Sequence, residues 1–98
     1  MISDIELIGV DDETLESLYD NLDSNELLSL ACNYKTVNDS IEYLQSFGIT
    51  VIDKLLINRS YIFLKDREEL ANAFKNVNIP VFVKLLNNDY NLIDELFN

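Results

Sequence analysis

The side chains in this chain that could do chemistry are carboxylates. Its 98 residues hold 18 Asp and Glu against 7 Lys and Arg, no His, and a single cysteine, Cys32. Without His, the commonest general base and the commonest metal-ligating side chain are both missing. A lone Cys completes neither a thiolate zinc site nor a Cys–His pair. There is no Gly-rich phosphate loop and no Gly-x-Ser-x-Gly elbow. Carboxylate-only catalysis is what is left, and no spacing among the acids separates a catalytic pair from a solvated face. Asp89-Tyr-Asn91-Leu-Ile-Asp94 opens like a calcium loop, but Asp94 stands where the sharp turn of such a loop needs Gly. The expectation is a protein that is not an enzyme, with no cofactor and no bound metal.

The charge is unevenly placed. Residues 1–34 hold nine acids and no Lys or Arg, so the first third carries −9 of the formal −11. Such a chain is repelled by nucleic acid and anionic membrane and attracted to basic partners. Some of these acids have local work: Asp11, Asp12 and Glu13 sit where a helix starts, each contributing roughly 0.3–1 kcal/mol against its dipole. Asp23 and Glu26 have the spacing of a capping box. Glu16 and Asp20 are like charges one turn apart, which costs roughly 0.2–0.5 kcal/mol. Glu13, Glu16 and Asp20 lie opposite Leu15, Leu18, Tyr19 and Leu22 on the first helix, facing solvent, and are the candidate partner-binding residues.

The elements that position them read as helices. With 48% apolar residues, two Gly and one Pro, the chain has ample core and little turn chemistry for a sheet. Leu15, Leu18, Tyr19 and Leu22 form one apolar stripe, and Leu27, Leu30, Ala31 and Tyr34 a second. A third helix covers roughly residues 37–47 with Ile41, Leu44 and Phe47 inward. Gly48 followed by Ile49 has the form of a left-handed C-terminal stop. Thr50 with Asp53, and Asp66 with Glu69, read as further capping pairs. The helices they open turn Ile52, Leu55 and Leu56, and then Leu70, Ala73, Phe74 and Val77, toward the core. Pro80 suits the first turn of a helix whose face is Phe82, Leu85 and Leu86. Leu92, Ile93, Leu96 and Phe97 close the chain in a short amphipathic turn. Tyr61-Ile-Phe-Leu64 is the one strand-like run, and with no second strand to pair with it reads as a crossing between helices. Cys32, beside Leu28 and Leu30, reads as core. Residues 1–10 are open between arm, strand and helix.

No apolar run approaches the roughly 20 residues that cross a bilayer, and the start has no signal-peptide pattern. The lone cysteine suits a reducing, cytoplasmic setting. The length suits one domain over residues 1–98.

An internal repeat is visible. Ile49-Thr-Val-Ile-Asp-Lys-Leu-Leu56 aligns without a gap on Ile79-Pro-Val-Phe-Val-Lys-Leu-Leu86, thirty residues on. Leu27-Leu28 makes a third pair, and Tyr34, Tyr61 and Tyr90 follow the three pairs in turn. The expected fold is all-α, a short array of about three helix pairs, either solenoid-like or a small orthogonal bundle.

The unit Leu44-Gln-Ser-Phe-Gly-Ile49, a helix with Leu55-Leu56, and Tyr61-Ile-Phe-Leu64 resembles the helical repeat of the mitochondrial transcription termination factor family, over roughly residues 36–98. The resemblance implies a curved array of helix pairs whose concave face, in that family, binds nucleic acid. That groove is basic where this chain is acidic, so the likeness extends to shape. Three functions follow as expectations. The first is an interaction module that turns an acidic N-terminal face to a basic or helical segment of another protein. The second is a small acidic inhibitor imitating nucleic acid on a basic enzyme site, and the third a nucleic-acid adaptor of the termination-factor type.

Overall fold

Side-chain caps place the helix starts. In the computed structural model, which describes residues 2–97, Asp11 accepts the Thr14 N–H at 2.8 Å and opens α1 (Asp12–Asn21). Asp23 and Glu26 form a complete capping box, each backbone N–H donating to the other's carboxylate at 3.2 and 2.8 Å, and open α2 (Ser24–Cys32). Asp66 and Glu69 repeat the box at the same two distances ahead of α5 (Arg67–Phe74). Asn78 accepts from the Val81 N–H ahead of α6 (Ile79–Asn88), where Pro80 occupies the first turn. A cap of this kind stabilises a helix by about 1 kcal/mol.

Two helices start without one. α3 (Tyr34–Ser46) follows α2 after a single residue, Asn33, so Tyr34 begins α3 instead of ending the α2 stripe. α4 (Ile52–Asn58) has Val51 at its cap position and no side-chain cap bond. The expected Thr50–Asp53 cap is absent: α4 starts one residue later than that cap requires, and the Thr50 N–H, which the Asp53 carboxylate would take in a capping box, donates instead to Asn87 Oδ1 at 2.8 Å.

The remaining ordered segments are 3-10 turns at Ile2–Leu7, Ser60–Leu64 and Tyr90–Glu95, and no strand occurs among the described residues. Tyr61-Ile-Phe-Leu64 thus lies in a 3-10 turn that buries Ile62 and Phe63 completely. It packs against α2, α3 and α4, which makes it the hub of the core. Ser40, the one buried polar residue among those described, donates from Oγ to the Lys65 carbonyl at 3.0 Å and ties α3 to the end of this hub.

The order helix, helix, 3-10 turn occurs twice, as α3–α4–(60–64) and α5–α6–(90–95), while α1–α2 runs straight into α3. The units do not string out into an elongated array. α1 packs on α4, and the Cα radius of gyration, 13.0 Å, is that of a compact domain of this length.

Two loops are clamped by asparagine. Asn38 on α3 accepts the Gly9 N–H at 2.7 Å and donates to the Leu7 carbonyl at 2.9 Å. Asn87 on α6 does the same to the loop after α3, accepting from Thr50 at 2.8 Å and donating to the Gly48 carbonyl at 3.0 Å. In each case one amide satisfies the outer two groups of a three-residue bend. Ile5 and Ile8 are buried, and the turn that carries Ile5 packs chiefly on α2.

Candidate functional site

α1 turns Leu18 and Leu22, with half-buried Leu15, toward the core, and it contacts α4. Glu13, Glu16 and Asp20 are all exposed on its other side. Tyr19 was expected inward and is 45% exposed. It lies one turn beyond Glu16 and beside Asp20, at the edge of the buried stripe rather than within it. The acidic face thus borders an aromatic ring that is half in water. Among the described residues, no ion pair engages Glu13, Glu16 or Asp20; the pairs found join Arg59 to Asp94 and Lys65 to Glu69. The Asp11 carboxyl is held below the ordinary carboxylate range by its hydrogen bonds from Thr14, so the start of α1 is a fixed negative charge.

Beside α2 runs a groove of about 310 Å³, with Asn25, Ser29 and Leu30 on one wall and Ser60, Tyr61 and Leu64 on the other. Tyr61 and Leu64 are more than a third exposed, as is Leu28 on the same side of α2 as Asn25 and Ser29. Leu and Tyr supply apolar contact, and amide and hydroxyl groups rim it. Glu26, the one charged residue of the lining, is occupied by its capping box. Such a surface takes apolar side chains and hydrogen-bonds a backbone beside them.

Cys32 ends α2 exposed, against the expectation that it is core. The α2 residues that go inward are Leu27, Leu30 and Ala31; Leu28 and Cys32, one turn apart, lie on the opposite side. Neighbouring leucines in sequence therefore did not report its environment. On α6 the inward residues are Val83 and Leu86 with half-buried Phe82, and Leu85 points out at 53% exposure, a further correction.

The basic side chains that pack do so far from α1 in sequence. Arg59 lies near the Tyr90 ring and grips Asp94; Arg67 sits 5.1 Å from the centre of the Tyr43 ring. A pocket between α3 and the start of α5, lined in part by Ser40, Asp39 and Lys65, measures about 80 Å³, well below the ~300 Å³ of small ligand sites. The segment with the calcium-loop pattern is used internally: Asp89 caps the last 3-10 turn, and Asp94 is bound by Arg59. No group of three or more acidic or Cys side chains is placed to hold a metal among the described residues. Among the described residues no helix is long and apolar enough to cross a membrane. No family model, no curated protein and no solved structure matches this chain.

Proposed function

We propose that this protein is a non-enzymatic interaction module that receives a basic or helical segment of another protein on the outer face of α1. The observation that supports this most directly is the uncompensated stripe of Glu13, Glu16 and Asp20, edged by exposed Tyr19, in a stretch of 34 residues without a base. A surface made only for solubility would intersperse both signs. An aromatic ring at the edge of a charged stripe adds contact area at low cost in side-chain entropy, as in many recognition surfaces. A cytoplasmic setting fits a lone cysteine without a disulfide partner.

The test is association rate against ionic strength, using a basic amphipathic peptide as the first probe. Glu16→Lys with Asp20→Lys should leave stability within ~0.5 kcal/mol, since both residues are exposed and unpaired. It should slow association most at low salt, where steering charge is least screened. Coincident salt curves for the two proteins would remove this face from the functional account. Competition by DNA for the same partner would instead favour an acidic inhibitor imitating nucleic acid.

A further inference from the structure

α6 has apolar residues on both sides. Val83 and Leu86 are buried in the core, while Val81 and Leu85, one turn apart on the opposite side, are 56% and 53% exposed, the two most exposed large apolar residues described. A helix that is apolar all round is ordinarily buried all round. The internal repeat sharpens the contrast. In the thirty-residue register Val81 and Leu85 correspond to Val51 and Leu55, which are 7% and 0% exposed in and beside α4. α4 is enclosed by α1, α3 and the 60–64 turn, whereas the chief partner of α6 is the 3-10 turn that follows it. α6 therefore leaves open to solvent the apolar residues that its counterpart α4 buries.

The charge pattern selects the occupant. α6 is the only one of the six α-helices without an acid, and Lys84 is its one charge. On a chain of net −11, two copies that meet through this helix bring no helix carboxylates together. We propose that this face is a self-association surface, on which two copies pair α6 against α6 about a two-fold axis, Val81 of each packing near Leu85 of the other. Two-fold closure is the commonest way for identical chains to associate, and it limits the assembly to a pair. A ten-residue helix, about 15 Å long, offers less than the ~800 Å² per partner of a standard stable interface. Association is therefore weak and concentration-dependent. This surface is distinct from the acidic face of α1, and it responds to salt in the opposite direction.

Sedimentation equilibrium of the full chain across concentration, at low and high salt, tests the proposal. The expected result is a monomer–dimer equilibrium that strengthens with salt, as repulsion between two strongly acidic chains is screened. Val81→Glu with Leu85→Glu should weaken dimerisation by about tenfold or more, with an unchanged helical circular dichroism spectrum. Leu85→Met, which keeps the apolar contact, should retain the dimer. A monomer at every concentration and salt would overturn the proposal, and so would a dimer indifferent to the double substitution. Growth beyond dimers would overturn the symmetric pairing in favour of head-to-tail contact. Glu16→Lys with Asp20→Lys should leave the Val81–Leu85 contact in place, so failure of the α1 reading and failure of this one are separable.

Discussion

Arg59 reaches thirty-five residues along the chain to hold Asp94 with both arms of its guanidinium, Nε to Oδ1 at 2.8 Å and Nη2 to Oδ2 at 2.9 Å. Nη2 also donates to Asn91 Oδ1 at 3.0 Å, so one side chain at the end of α4 fixes two residues of the last 3-10 turn. The fork geometry suits Arg and not Lys. Hydrogen bonding from Arg59 holds the Asp94 carboxyl below its ordinary value, and the same bond raises the already high value of the guanidinium.

That clasp gives stability a pH signature. Asp94 titrates lower in the folded chain than in the unfolded one, so its contribution is fully present above the unfolded value near pH 4. It is lost as pH falls through the depressed folded value. Asp94→Asn should therefore lower the denaturant midpoint at neutral pH, with the gap to wild type closing below about pH 4. Arg59→Lys, which keeps the charge but not the fork, should lose part of the same stability. A gap that stays constant from pH 7 to pH 2 would show that the carboxylate charge contributes nothing here.

Gly48 is the one residue described with positive φ, at +91°, and a Cβ built there meets only Val83 Cγ1 at an ordinary 3.8 Å. The penalty for a side chain is thus conformational and not steric. Gly48→Ala should cost about 1 kcal/mol and Gly48→Val on the order of 1–2 kcal/mol. Gly9→Ala, at a residue with ordinary φ and a Cβ 3.4 Å from the Asn38 side chain, should stay within ~0.5 kcal/mol. Equal losses at the two glycines in chemical denaturation would contradict this account.

The asparagine clamps predict matched losses. Asn38→Ala and Asn87→Ala each remove two hydrogen bonds from a loop that water can partly re-solvate, so each should cost ~1–2 kcal/mol. Amide exchange at Gly9 and Thr50, whose N–H groups the clamps hold, should accelerate in the respective variant. Unchanged exchange at those two amides would show the clamps to be loose in solution.

Phe63 is the largest fully buried side chain and sits in the turn that α2, α3 and α4 all touch. Phe63→Ala should cost ~3–5 kcal/mol, a large part of the stability of a domain this size. Thermal unfolding checks it: a melting temperature within a few degrees of wild type would remove the 60–64 turn from the centre of the core.

Much of this fold was legible before any coordinate. The capping boxes at Asp23–Glu26 and Asp66–Glu69, the stop at Gly48 and the start at Pro80 are local devices, satisfied within one turn of chain, and each occurs where its residues stand. The stripes Leu18–Leu22, Leu27–Leu30–Ala31 and Ile41–Leu44 are buried as their helical spacing requires. The exposure of Glu13, Glu16 and Asp20 likewise follows from the helical period alone.

What the tertiary structure decided is which side of an ambivalent helix is covered, and by what. Thr50, expected to cap α4, is held instead by Asn87, thirty-seven positions away in the chain, and the helix starts one residue later. Tyr19, Cys32 and Leu85 lie on or beside apolar stripes, yet each is exposed, because the side of the helix that carries it faces away from the core. The strand-like run 61–64 became a buried 3-10 turn because three helices close around it. Sequence by itself determined where helices start, stop and turn their apolar sides, since caps and periodicity act within a few residues. Which of those sides meet depends on contacts between segments far apart in the chain, and no local pattern encodes their geometry.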